Sequence, residues 1–474
     1  MLRRWSRSGK QAVRRAGRGA QAMAGPLKEL FQLAWPITVA MLGESAIGLV
    51  DTKLVGGLGA AALAGVGMAT IVFYLGFAMA SGVLRGVKVR TAYLIGEGRL
   101  ADTGSFAGAG LVIGAVAGFA LFLVGRDITP ALRFLRVDDS MLPFARDFMA
   151  ARTIGAPLAV MLASQNQYRQ GLGDTRTPML IGIGGNIVNA VLSYSLIYGH
   201  LGLPALGVRG AGYGTAMTEA LQLSVMLGLL LRDRQRAKAA GAARSSIGLR
   251  QALREVLGLG VPTGLHFGFE MLAFTTFTAV LASLGAAELA AHHVALNTIR
   301  ASFLPGVAVA EATSVLVARS LGAGCLKGAD RSTGAALFLG VSFMTLCGVL
   351  FAFFGRDIAG AFSSDPEVVA IAGRLLLVAA VFQTLDAANM ILRGALRGAK
   401  DVRWVAIVGT TVAWCCIPGS ALLFGRLGGL GALGGWFGFI LETTLGSALL
   451  LRRWRKGPWR ASFGGAGLLR PSAA

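Results

Sequence analysis

From residue 29 to residue 451 the chain is a succession of twelve apolar segments of 20 to 29 residues, separated by short charged or Gly/Pro-rich breaks. About 20 mostly apolar residues are what a helix needs to cross the hydrocarbon core of a bilayer. The segments run 29–52, 61–84, 104–124, 147–168, 178–199, 208–231, 256–283, 289–317, 333–354, 367–392, 403–424 and 432–451. Outer-membrane strands alternate apolar and polar residues over about ten positions, whereas Gly110 to Val124 is unbroken apolar or Gly. The expected fold is an all-α polytopic membrane protein with twelve transmembrane helices.

Composition agrees. Hydrophobic residues make up 54% of the chain and charged residues 14%, against about 25% charged in a typical soluble protein. A soluble enzyme and a disordered chain are excluded, and four cysteines (Cys325, Cys347, Cys415, Cys416) cannot form a disulfide scaffold. The net charge of +22 raises nucleic acid as a partner, but its location argues against that reading. Residues 1–28, 232–255 and 452–474 hold twenty-one basic and two acidic residues, nineteen of the net charge. By the positive-inside rule these three segments are cytoplasmic, as are the basic breaks after even-numbered spans. The expected division is a basic N-terminal segment (1–28), a six-helix bundle (29–231), a basic linker (232–255), a second six-helix bundle (256–451) and a basic tail (452–474). No small-residue cleavage site follows the basic start, so the first span is expected to stay.

A shift of 226 residues brings the halves into register. Pro36 falls on Pro262, Glu44 on Glu270, Thr52 on Thr278, Leu58-Gly59-Ala60-Ala61 on Leu284-Gly285-Ala286-Ala287, and Gly96 and Gly98 on Gly322 and Gly324. Gly125-Arg126-Asp127-Ile128 recurs as Gly355-Arg356-Asp357-Ile358. With six helices per repeat both halves enter from the same side, so the pseudo-twofold axis relating the bundles runs along the membrane normal.

Ionisable side chains inside spans are expensive and point to function. Glu270 is the clearest, with no other acidic or basic residue between Glu255 and Glu288 except His266. Asp386 lies in the tenth span with Gln383 and Asn389 one turn away on either side, a polar stripe in an apolar helix. Glu44 is the repeat equivalent of Glu270, and Asp51 sits near Lys53 at the outer end of the first span. For each of these a neutral helix contact, or for Asp51 an interfacial ion pair, is the plain alternative. Asn186, Asn189 and Ser193 share a face of the fifth span and offer hard oxygens to a small cation, or simply hydrogen-bond within the bundle. Glu219, Glu311 and Glu442 are expected to be packing contacts. Arg85, Lys88 and Arg90 are expected to carry the second helix into the cytoplasm, because 61–84 already spans. His292 and His293 have no Cys or carboxylate cluster beside them, so no zinc-type site is expected. The chain has no Gly-Lys-Ser/Thr phosphate loop and no nucleophile and base set. It is not expected to be an enzyme or to carry a cofactor.

The segment Pro36-Ile37-Thr38 to Gly48-Leu49-Val50-Asp51-Thr52, with Gly57-Leu58-Gly59 and Ala62-Leu63-Ala64-Gly65-Val66-Gly67, resembles the opening of multidrug and toxic compound extrusion (MATE) transporters. Arg169-Gln170-Gly171-Leu172-Gly173-Asp174-Thr175-Arg176-Thr177-Pro178, Pro262 with Glu270, Ala291-His292 to Leu296-Asn297, and Gln383-Thr384-Leu385-Asp386 to Leu392-Arg393-Gly394 continue the resemblance over about residues 28–452. It implies a secondary antiporter of the inner membrane, acting as a monomer, that exports organic cations or other toxic small molecules against Na⁺ or H⁺. On this resemblance Asp51, Asn189, Glu270 and Asp386 couple to the cation, with Na⁺ at Glu270 and Asp386. From the residues and the repeat, Glu44, Asn186, Ser193, Gln383 and Asn297 are expected as additional cavity or cation contacts. Ser193 stands where several members carry Asp. The alternative is a flippase for lipid-linked saccharides, which calls for a buried basic cavity; the spans here are expected to offer mostly carboxylates.

Overall fold

The computed structural model describes residues 2–134, 138–239 and 245–461. Among the described residues there is no strand. The helices of the first half are α1 (Leu2–Gly56), α2 (Ala60–Gly96), α3 (Thr103–Gly125), the short α4 (Thr129–Phe134), α5 (Leu142–Ile154), α6 (Ala156–Leu172), α7 (Arg176–Tyr198) and α8 (Val208–Ala239). The second half holds α9 (Leu249–Ala282), α10 (Ala286–Gly322), α11 (Leu326–Phe362), α12 (Pro366–Gly398), α13 (Val402–Ser420), continued by a π-helical turn Ala421–Leu427, and α14 (Gly431–Lys456). Eleven of these are long and apolar enough to cross a membrane.

The remaining crossing, expected over 147–168, is the pair α5 and α6. It breaks because Gly155 ends α5 and Pro157 opens α6, where a missing N–H interrupts the hydrogen-bond ladder. Gly118 of α3 lies against this break, so close that an added Cβ would strike Pro157 Cα and the Ala156 carbonyl oxygen.

Several helices run past their expected ends. Span arithmetic counts only apolar residues, and charged residues that pair inside the bundle prolong a helix just as well. α2 continues to Gly96, and Arg85, Lys88 and Arg90 are not in water as expected. Lys88 is 1% exposed, and Arg90 pairs at 2.6 Å with Glu255 of α9. Parts of the basic linker (240–244) and of the basic tail (462–474) lie outside the described residues. The described part of the tail folds back: Trp459 lies 4.5 Å from the Trp454 ring, and Arg460 pairs with Asp330.

The repeat appears in the packing. First and fifth spans pair in each half, by Tyr198 donating to the Leu54 carbonyl at 2.7 Å and by Trp414 donating to that of Phe269 at 3.0 Å. Between halves, Gly96 of α2 lies against the Arg319 backbone of α10, and Gly322 of α10 against the Tyr93 backbone of α2. Tyr93 and Arg319, like Gly96 and Gly322, are 226 residues apart, so equivalent positions meet across a pseudo-twofold axis.

The cores show where the halves join. At the ends nearer the basic segments they share one core, with Leu30, Leu33, Val89 and Tyr93 packed against Val315, Leu316, Leu321 and Leu396. Ala252 and Val256 of α9 also pack into the first half. At the opposite ends each half has its own core, around Leu132, Phe148 and Ile197 in the first and Phe277, Leu375 and Trp436 in the second. The halves thus share a core at the basic side and have separate cores at the opposite ends.

Candidate functional site

In the second half, α9, α12 and α14 each bring a charged residue to one point. Arg393 of α12 donates through Nη1 to Glu270 Oε1 at 2.7 Å and through Nη2 to Glu442 Oε1 at 2.6 Å. Asn389, one turn earlier, donates to the same Glu442 oxygen at 3.2 Å. His266, one turn before Glu270, puts Nε2 3.6 Å from Glu270 Oε2 and is held on its other side by Thr410 at 3.3 Å. Gln383 is buried and donates to Ser302 of α10 at 2.5 Å. Asp386 is half-buried on the same helix and within electrostatic reach of Glu270, Arg393 and Glu442, yet has no hydrogen bond or ion pair among the described residues. The buried Gln383 Oε1 and Asn389 Oδ1 also lack hydrogen-bond donors. Two carboxylates thus hold one guanidinium, with Asp386 within electrostatic reach, and the hard oxygens of Asp386, Asn389 and Gln383 that follow one another along α12 are uncommitted.

Glu442 was expected to be a neutral packing contact and is instead half of this ion-pair system. Arg393, Asn389, Asp386 and Arg397 recur at three- and four-residue steps and so share a face of α12. That spacing was readable, but Arg393 counted only as the end of a span.

The first half is different. Asn189 donates to Thr215 of α8 at 3.2 Å and accepts from Ser193 at 3.4 Å, so these two candidates do meet. Asn186 approaches α1 at Gly43. Asp51 is half-buried, is not paired with Lys53, and has a buried Oδ1 with no donor. Glu44 is exposed, and Asn297 of α10 is exposed as well. Glu219 is not a neutral packing contact either: Arg152 grips it at 2.8 and 3.0 Å. Glu219 in the sixth span and Glu442 in the twelfth, at similar places in their halves, therefore have arginine partners at non-equivalent positions, Arg152 and Arg393.

Glu311 is the third carboxylate expected to be a packing contact, and it too is paired. It takes Arg85 at 3.0 Å and Lys88 on its other oxygen, both from α2. Together with Arg393 and Arg397 these residues overturn the expectation that the spans lack buried basic groups. Arg300, three turns before Glu311, is exposed. His292 is a core residue, accepting from Trp436 at 3.2 Å, and no group of three or more metal-ligating side chains occurs among the described residues.

A MatE family profile matches residues 36–195 and 262–422, more than half of the chain. Over 433 residues the chain is 28% identical to the multidrug resistance protein MdtK of Yersinia pestis (strain Pestoides F), covering 90% of this chain and 95% of that protein. The fold is similar to an outward-facing multidrug resistance MATE family transporter of the MOP superfamily, with a TM-score of 0.82 at 21% identity over 95% of this chain and 99% of that one. It is also similar to a MOP superfamily transporter from Pyrococcus furiosus Vc1, with a TM-score of 0.81 at 21% identity over 92% and 97%. With one profile match opening at Pro36 and the other at Pro262, the chain belongs to the MatE family, the multidrug and toxic compound extrusion transporters.

Proposed function

We propose that this chain is a secondary antiporter that exports small organic molecules, cationic amphipathic compounds among them, in exchange for Na⁺ or H⁺. The bundles 29–231 and 256–451 alternate between two facings. The protein works as a monomer in the cytoplasmic membrane with both termini in the cytoplasm. The name of the MdtK relative supports drugs as cargo. The observation that carries the coupling is the excess of carboxylate around Arg393, with Asp386 uncommitted beside it.

Arg393 neutralises part of the negative charge of Glu270, Glu442 and Asp386, and the remainder calls for a mobile cation. A proton on Asp386, or Na⁺ held by Asp386, Glu270 Oε2 and neighbouring amide oxygens, supplies it. A cationic substrate entering the same field competes for that charge. Ion and cargo then bind by turns, each biasing the facing it binds better, which is the requirement for exchange. Asp51 and Asn189, with Asn186, Ser193 and Glu44, form a second cation-attracting region in the first bundle.

The flippase alternative needs basic groups free to hold a pyrophosphate. In the carboxylate-lined site the one basic residue, Arg393, is committed to Glu270 and Glu442. Drug resistance and ethidium efflux in exporter-deficient cells, with opposed Na⁺ and H⁺ gradients imposed in vesicles, test the reading. Efflux that follows one gradient is expected; neither resistance nor gradient-driven efflux would overturn it.

A further inference from the structure

On the basic side of the Arg393 site lies a second charged constellation. A pocket between α2, α9, α10 and α12 is lined by Arg85, Lys88, Thr263, Glu311, Ser314 and Arg397. Thr263 is two turns nearer the basic end of α9 than Glu270, and Arg397 one turn nearer that end of α12 than Arg393. Three of the six are cations and one is an anion. Glu311 is shared between Arg85 and Lys88. Arg397 has no carboxylate partner among the described residues and lies over the Phe267 ring, 5.0 Å from its centre. Arg85 lies over the same ring at 4.0 Å, and its Nη1 is buried without an acceptor.

A ring face attracts cations but carries no net negative charge, so Arg397 is left without an ion pair and Arg85 and Lys88 share one carboxylate, while Glu270, within electrostatic reach of Arg85 and Arg397, is itself paired with Arg393; such an arrangement inside a membrane bundle is costly and marks functional sites. Two guanidinium forks and an ammonium suit an oxoanion of the phosphate type.

We propose that this pocket is a phosphate-type oxoanion site, and that Glu311 is its built-in occupant while the bundles are closed at the basic side. Arg85 and Lys88 belong to α2, whereas Glu311 and Arg397 belong to the second half. Parting the halves at that side takes Glu311 away from both partners and leaves Arg85 and Lys88 bare. A phosphate, free or on the headgroup of a lipid, replaces the lost carboxylate on Arg85 and Lys88, with Arg397 on the facing wall. The inference rests on the transporter reading for that parting of the halves.

The test uses the full chain in nanodiscs. Inorganic phosphate is titrated in phosphatidylcholine discs by calorimetry, and phosphatidylglycerol is added to the discs without phosphate while thermal stability is followed. Saturable binding of free phosphate identifies a soluble anion; stabilisation by phosphatidylglycerol alone identifies a headgroup. In whichever arm responds, Glu311→Gln is expected to strengthen the effect about tenfold, because a competitor is removed, and Lys88→Gln and Arg397→Gln to weaken it about tenfold. A merely structural cluster predicts weakening in all three, and that result overturns the site, as does the absence of any response in both arms. Should Lys88→Gln not fold, Lys88→Arg keeps the charge and should bind within about threefold of the natural protein, while the sign of Glu311→Gln still decides. Ethidium efflux is measured on the same preparations. Efflux without an anion response overturns the site alone; an anion response without efflux overturns the transporter reading alone.

Discussion

Arg393 reaches from α12 to Glu270 of α9 at 2.7 Å, bridging two helices whose sequence positions are 123 residues apart. The same guanidinium continues to Glu442, so α9, α12 and α14 meet on one side chain. Removing it leaves two carboxylates without a counter-charge. Arg393→Gln is expected to destabilise the protein by about 3–5 kcal/mol, the usual cost of breaking a buried pair by one partner. Thermal unfolding in detergent checks this. Arg393→Leu combined with Glu442→Leu should cost less than the two single changes added together.

Asp386 has no such partner, so Asp386→Asn should leave the stability, followed by thermal unfolding, within about 1 kcal/mol of the natural protein. Gradient-driven ethidium efflux should nevertheless be lost. Efflux at the natural rate from the well-folded variant would remove Asp386 from the coupling machinery.

Glu44 and Glu270 occupy equivalent places in the repeat, but only Glu270 is tied to an arginine. Glu44→Gln is therefore expected to change stability by no more than about 0.5 kcal/mol, and Glu270→Gln by clearly more. If each bundle contributes one working carboxylate, Glu44→Gln also shifts the pH dependence or substrate range of efflux. Unchanged transport would make Glu44 a structural residue.

Gly96 and Gly322 each press on a backbone carbonyl oxygen of the other half. Gly96→Ala and Gly322→Ala should each cost about 1–3 kcal/mol, the range for overpacking. Equivalent positions should respond alike. Melting temperatures that drop for one variant only would show that the axis relating the halves does not pass through this contact.

The sequence announced most of the frame because its signals there are local or periodic. Apolar length marks each crossing, and Pro36, Pro262, Gly96 and Gly322 reveal the repeat. It also placed Glu270 and Asp386 inside spans. It did not reveal that Arg393 joins Glu270 to Glu442, because a partner from another helix leaves no trace in spacing along either one. Lys88 was assigned to water for a related reason. Counting apolar residues tells where a span can end, but not that a second bundle covers the next three turns of α2. The broken fourth crossing was half visible in Gly155 and Pro157, residues that do not reduce apolar content and so left the segment reading as one helix.

Cores shared at one end and separate at the other give the molecule a preferred direction of rest. Turning it the other way means prising Leu30, Leu33, Val89 and Tyr93 from Val315, Leu316 and Leu321 and splitting the ion pairs of Glu311, whereas closing the open end breaks no contact of either outer core. Like a spring clip, the molecule has its stiffness at the jaws nearer the basic segments. Opening the jaws is therefore the stroke that has contacts to break.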